Sequence, residues 1–369
     1  MSVGKRSPAA DIIRIFAFFC VVSVHFFLNS KFYDYPTEGK TMLVMTICRS
    51  FFMICVPLFL LLSGYLLWKK PLSLDYYKKI SRIIITYVLA SIICLFYMKF
   101  TTFQDMTIKD AVLAIFSFMG APYSWYIEMY LGLFLLIPFL NIIYNNLPSQ
   151  KWKLILIASF IILTSLHGVV NVYEFSSLEW WAEPSSSSAY TKIMPDWWKT
   201  IYPVTYYFIG CYLSDFGLKI KKLLNIIFIG LVTILFGVYT FWRSYKVPFI
   251  WGDWCDYPSI FVVALTVLVF VFFVNLKYDK ISDKTAVILQ KLSGLTLGGY
   301  LVSYVFDSYF YEKLIEKVPV MTDRFIYFPV IVPLVFVLSI IASYLINIIQ
   351  SLIEKMIDLI CKSFKKIKR

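Results

Sequence analysis

The chain of 369 residues is 60% hydrophobic and only 15% charged, with a mean hydropathy of +0.75. Soluble domains average about 45–50% apolar and about 25% charged residues, and the polar residues here are too few to coat a soluble core of this size. A soluble globular protein and a disordered one are both excluded, and the formal net charge of +13 has to be placed on a membrane topology before it argues for a nucleic-acid partner.

A membrane-spanning helix needs about 20 mostly apolar residues. Runs of that kind fall at 10–29, 45–68, 80–98, 124–144, 152–171, 198–216, 222–242, 257–276, 287–310 and 326–350. They are long and continuously apolar, so the alternation of barrel strands does not fit. The expected fold is all-α, a polytopic membrane helical bundle of about ten transmembrane helices. It forms one integral-membrane domain over 1–369 with a basic tail at 352–369. The first run carries Arg14 and His25, and no small-residue cleavage site follows it, so it reads as a retained helix.

With the N-terminus in the cytoplasm, the inner segments hold twice the basic residues of the outer ones. That bias is the positive-inside signature. An even number of spans places both termini in the cytoplasm and puts the tail Lys362 to Arg369 where anionic lipid attracts it. The expected location is the bacterial plasma membrane, multi-pass, with membrane lipids as surroundings. The charge needs no nucleic acid to explain it.

The cysteines show no metal spacing and offer no external disulfide pair. No metal is expected. No P-loop, G-x-G-x-x-G or GxSxG pattern occurs. The longest outer connection, 171–201, carries Glu179-Trp180-Trp181, the run Ser185 to Ser188, and Asp196-Trp197-Trp198. Such aromatic pairs beside acids suit sugar stacking or an interfacial belt equally. The apolar segment 107–119 is too short to span; it lies in the interface or dips into the bundle.

Charged groups inside spans are costly and mark function. Asp11, Arg14 and His25 share the first helix. Arg14 and His25 are eleven residues apart, about 16 Å along the axis and on nearly the same face. Asp11 joins that face three residues earlier. One polar stripe therefore crosses the membrane, with Arg14 toward the cytoplasm and His25 toward the outside. Arg49, Glu128, Asp307 with Ser303, and His167 sit at outer ends of other spans, at the depth of His25. Arg49 reads as functional or as a structural partner of Glu128 or Asp307, and His167 as an interfacial residue. At the inner end Lys78, Lys79 and Arg82 open the third span. They suit a phosphate group or serve as plain positive-inside charge.

These residues resemble the acyltransferase 3 family of membrane O-acyltransferases, in the form without a fused extracellular hydrolase-like domain. Asp11-Ile-Ile-Arg14 followed by His25 matches the family's Arg-x10-His signature. Arg49 ahead of Val56-Pro-Leu-Phe-Leu-Leu-Leu-Ser-Gly-Tyr65 is similar to its second-helix pattern. Lys79-Ile-Ser-Arg82 resembles its Arg-x-x-Arg motif, and Ser124-Trp-Tyr-Ile followed by Pro138 its Leu-Trp-Tyr segment. The later segments Tyr206 to Leu213 and Leu292 to Leu301 also resemble the family, so the likeness spans nearly the whole chain. Three positions depart. Ser303 stands where members often have His, Ser124 stands where they often have His before the Trp, and Lys79 gives up the bidentate phosphate grip of Arg.

The resemblance implies transfer of an acyl group from cytoplasmic acyl-CoA, most commonly acetyl-CoA, to a hydroxyl of a cell-surface glycan or lipid-linked saccharide. His25 is then the general base, oriented by Glu128 or Asp307, and Arg49 stabilises the oxyanion or holds the acceptor. Arg14, Lys79, Arg82 and Lys78 would receive the donor's phosphates. Trp125, Tyr126, Trp180, Trp181 and Ser303 are the candidate acceptor contacts. The competing reading is a transporter or flippase of a lipid-linked glycan or small molecule. No convincing pairing of inverted halves supports it.

Overall fold

A computed structural model describes residues 8–186 and 190–367, with side chains through Met356. Lys5, Arg6, Ser187, Ser188, Lys368 and Arg369 lie outside the described residues, as do the side chains of Cys361, Lys362, Lys365 and Lys366. Helix α1 (Pro8–Asn29) is followed by α2 (Gly39–Phe52) and α3 (Cys55–Leu67), then by the short α4 (Leu74–Tyr77) and α5 (Ile80–Thr101). Next come α6 (Ile108–Phe116), α7 (Trp125–Asn145) and α8 (Gln150–Ile161), which runs through a π turn into α9 (His167–Val170). The long connection holds α10 (Leu178–Ala182). The chain closes with α11 (Tyr202–Asp215), α12 (Lys222–Arg243), α13 (Ile260–Val274), α14 (Asp283–Lys317) and α15 (Phe328–Ile367).

The fold is all-helical. Each of the ten apolar runs is helical, but among the described residues eight helical spans, with α2–α3, α4–α5 and α8–α9 each taken as one, are long and apolar enough to cross a membrane. The two that fall short are α11 and α13, with 14 and 15 residues. At about 1.5 Å per residue they rise only about two-thirds of a hydrocarbon core about 30 Å thick. The basic tail at 352–369 is not a separate segment at its start, because α15 runs on to Ile367. The segment 107–119 does not dip into the bundle. None of α6's residues is buried, and Ile108 and Phe116 are both exposed.

Prolines explain the local breaks. Pro57 has no N–H and crowds the carbonyl four residues earlier, and the helix gives way at Met53 and Ile54, between α2 and α3. Pro138 lies inside α7 and frees the Phe134 carbonyl. The Tyr76 hydroxyl donates to that carbonyl at 2.8 Å, so it is not left bare in an apolar medium.

Helix α1 lies at the centre, against α14, α3, α15, α2 and α13. Its pairing with α14 positions the site. Asp11 meets Ser293 and His25 meets Asp307, and both pairs are 282 residues apart in sequence. The two helices therefore run parallel and in register. Ser293, Tyr300 and Asp307 recur every seven residues, about two turns, and so line one face of α14.

The closest packing is between α3 and α11, and it depends on two glycines. A Cβ on Gly64 would lie 1.9 Å from the Tyr207 carbonyl oxygen, and one on Gly210 would lie 2.0 Å from that of Leu61. Small residues that let backbones touch are a common way for helices to associate in lipid. In consequence α11 is largely buried despite its length. Gly64→Val should lower the detergent melting temperature and broaden the size-exclusion peak, because the backbone has no room to yield. Gly132→Ala, where nothing lies within 4 Å, should leave both unchanged or slightly improved.

Candidate active site

The site is built where α1, α7 and α14 meet. His25 Nδ1 lies 3.1 Å from Asp307 Oδ2. Tyr123, just before α7, donates its hydroxyl to the same oxygen at 3.0 Å. The Tyr123 ring also stacks on the imidazole, with centroids 3.8 Å apart. Asn29, one turn beyond His25, donates to the His25 carbonyl at 2.9 Å and to the Tyr123 hydroxyl at 3.1 Å. The Tyr300 hydroxyl donates to the Tyr123 carbonyl. Asp307 is fully buried, and its Oδ1 has no hydrogen-bond partner among the described residues.

This arrangement fixes the imidazole's chemistry. A carboxylate accepting from Nδ1–H holds the tautomer whose lone pair is on Nε2. His25 is thus set to take up a proton, and its ring lines a cavity of about 150 Å³.

A second cavity, of about 370 Å³, lies toward Arg14. Arg14, Lys79, Tyr126 and Tyr130 line it. Val21, Val56 and Tyr300 line both cavities and separate them. A third crevice of about 150 Å³ carries Lys79, Arg82 and Gln350, and shares Lys79 with the large cavity. Arg14 contacts Asp11 at 3.6 Å, so its guanidinium is oriented from behind. One chain of cavities therefore runs from cationic side chains to His25.

Several expected site residues lie elsewhere. Glu128 is exposed on α7, with no side-chain hydrogen bond or ion pair among the described residues. It shares a stripe with the exposed Leu135, Phe139 and Ile142, spaced by seven, eleven and fourteen residues, and so faces away from the bundle. Of the two carboxylates, Asp307 is the one in contact with His25. Arg49 does not line the His25 cavity either. It is fully buried, donates to the Cys255 carbonyl at 2.9 Å and to the Tyr33 hydroxyl at 3.2 Å, and lies 4.8 Å from the ring centres of Phe249 and Trp251. It pairs with neither Glu128 nor Asp307. It braces Tyr33 and Trp251, which do line the cavity.

Among the candidate acceptor contacts, Trp125 lines the small cavity and Tyr126 the large one. Trp180 is buried against the Arg243 guanidinium at 4.9 Å. Trp181 stacks on Tyr173 with centroids 5.3 Å apart. Ser303 spends its hydroxyl on the Tyr300 carbonyl at 2.9 Å. None of these three borders a cavity beside His25. Lys78 is exposed and paired with Asp75 at 2.6 Å, outside all three cavities. His167 belongs to a different group, 3.4 Å from Asp253, which Lys199 also reaches at 3.2 Å. Contact with His167 and Lys199 holds the Asp253 carboxyl below the usual carboxylate range.

Sequence reasoning missed Asn29, Tyr123 and Tyr300. Asn29 carried a signal, being four residues after His25 on the same face. Tyr300 stands one heptad before Asp307. Tyr123 carried none, since only the tertiary fold brings it over the imidazole.

The fold and this site define a multi-pass helical membrane protein with a buried His–Asp pair beside a small cavity that adjoins a cation-lined one. Residues 8–348 match the family model of the acyltransferase domain, and the chain belongs to the acyltransferase 3 family. It is a membrane acyltransferase. No curated protein and no solved structure matches it.

Tyr123→Phe keeps the stacked ring and removes the hydroxyl bond to Asp307. It should lower kcat for acyl transfer by about tenfold, the value of one hydrogen bond at a charged group, with KM for the acyl donor little changed. Asp307→Asn should cost far more, up to about 10⁴-fold, the loss expected if His25 depends on this carboxylate for its tautomer. Steady-state kinetics on purified variants decide both.

Proposed function

We propose that the enzyme moves an acyl group, with acetyl as first choice, from cytoplasmic acyl-CoA to a hydroxyl of a cell-surface or lipid-linked glycan. The observation that carries this reading is the His25–Asp307 pair at one end of a cavity system whose other end holds Arg14, Lys79 and Arg82. A phosphate-bearing donor suits the cationic end. A thin, flexible arm suits the aromatic large cavity. A hydroxyl acceptor suits the far side, where Trp125 and Trp251 are partly exposed beside His25.

In the transfer step His25 Nε2 removes the acceptor's proton as its oxygen attacks the thioester carbonyl. The new C–O bond forms, the C–S bond breaks, and the thiolate leaves. It regains a proton to become the free thiol, and His25 returns to its neutral form. Asp307 stabilises the intervening imidazolium through Nδ1, and Tyr123 and Asn29 keep the ring from turning. The apolar surroundings strengthen each of these contacts. Lys79 and Arg82 attract the donor's phosphates, Lys79 as a point charge.

The basic bias of the sequence supports an orientation with both termini and the Arg14 end in the cytoplasm of a bacterial plasma membrane. The His25 end would face outward, and the acyl group would cross within the protein.

His25→Ala should abolish transfer of radiolabel from acetyl-CoA to membrane glycan while the protein still elutes as a folded particle in detergent. Label transfer at the wild-type rate in that variant would sink the reading. A wild-type protein that moves a glycan across vesicles without cleaving any thioester would favour transport instead.

A further inference from the structure

The wall between the two main cavities carries a further function. Three side chains line both cavities: Val21 of α1, Val56 of α3 and Tyr300 of α14. Val21 stands one turn before His25 and Tyr300 two turns before Asp307, so this ring abuts the base. The Tyr300 ring centre is 6.3 Å from that of the imidazole. Tyr300 is held in place by its hydroxyl bond to the Tyr123 carbonyl and by an edge-on contact with Tyr126 at 5.8 Å. All three side chains are buried. With Tyr300 pinned, the two valines complete the wall between the cavities.

Resting on the acyl-CoA reading above, we infer that Val21, Val56 and Tyr300 form an acyl filter that admits short unbranched acyl groups and rejects branched ones. The acyl end of the donor enters first from the large cavity and must pass this ring to bring its carbonyl beside His25. A straight chain is no wider than its methyl group. A branch at the carbon next to the carbonyl adds a second methyl at the narrowest point. The small cavity beyond must also hold the acceptor hydroxyl, which limits the length of chain that fits. Tight apolar walls discriminate by steric exclusion, where one methyl group is worth roughly 10- to 200-fold in specificity.

The test compares label transfer from acetyl-CoA and isobutyryl-CoA in membranes carrying each variant. Both donors are measured in the same preparation, so a general loss of activity cancels in the ratio. The wild type should strongly prefer acetyl. The double variant Val21→Ala with Val56→Ala removes four methyl groups from the ring and should raise the isobutyryl-to-acetyl ratio about tenfold or more. Val21→Ile should act in the opposite sense and lower the propionyl-to-acetyl ratio. If the double variant folds poorly, each single alanine variant should still raise the ratio. A wild type that takes both donors equally, or alanine variants with the wild-type ratio, would overturn the filter and leave the transfer reading intact. A wild type that transfers neither label would overturn the acyl-CoA reading, and the filter with it.

Discussion

The contact between His25 and Asp307 sets terms that the surrounding structure has to meet. Both side chains are buried in a medium without water to solvate them, and an isolated polar group there costs several kcal/mol. The solution is collective. Asp307 Oδ2 accepts from both His25 and Tyr123, Asn29 ties Tyr123 to the His25 backbone, and Tyr300 ties the Tyr123 backbone to α14. The His25–Asp307 bond needs α1 and α14 parallel and in register, and the Asp11–Ser293 pair at the other end of the same helices imposes that register a second time. Parallel helices must be joined by an odd number of crossings between them, so this one pairing constrains the topology of everything from residue 39 to residue 282.

Two buried arginines do a different job. Arg49 and Arg243 are fully buried, and neither forms an ion pair among the described residues. Each donates to a backbone carbonyl, Cys255 for Arg49 and Val172 for Arg243. Each is also surrounded by aromatic faces, with Trp254 3.9 Å from the Arg243 guanidinium. The ring faces supply negative potential without a carboxylate. These two residues knit the connections at 30–38, 171–201 and 244–259 into a cap over the His25 end, reinforced by the Thr37 to Val247 bond at 2.8 Å. Of the tryptophans in the long connection, Trp180 packs into this cap against Arg243 and Trp181 stacks on Tyr173, whereas Trp197 and Trp198 are exposed. Packing therefore accounts for Trp180 and Trp181 without a bound sugar.

Much of the fold was legible because a bilayer simplifies the code. Long apolar runs have to be helices, and the charge bias orients them. The stripe of Asp11, Arg14 and His25 was legible for a related reason, since helical spacing alone puts those residues on one face. Depth was also readable, which is why Asp307, Arg49 and Glu128 were all placed near His25. Depth does not fix azimuth, however. Glu128 and Asp307 sit at similar heights, yet one faces out of the bundle and the other into it. The exposed stripe of Leu135, Phe139 and Ile142 held that information, but a helix that is apolar all round hides which side meets its neighbours.

By itself the sequence determined the class of protein, the helical spans and the polar stripe on α1, because those depend on local composition and on the 3.6-residue period. The family likeness in its motifs led to the same acyltransferase class that the domain match shows. Only the tertiary structure decided the partner of His25, the stacking of Tyr123, the structural duty of Arg49 and the ring that divides the two cavities. Each of these depends on how a helix is rotated about its own axis against neighbours far away in sequence, and that rotation is set by packing summed over many contacts rather than by any one residue's type.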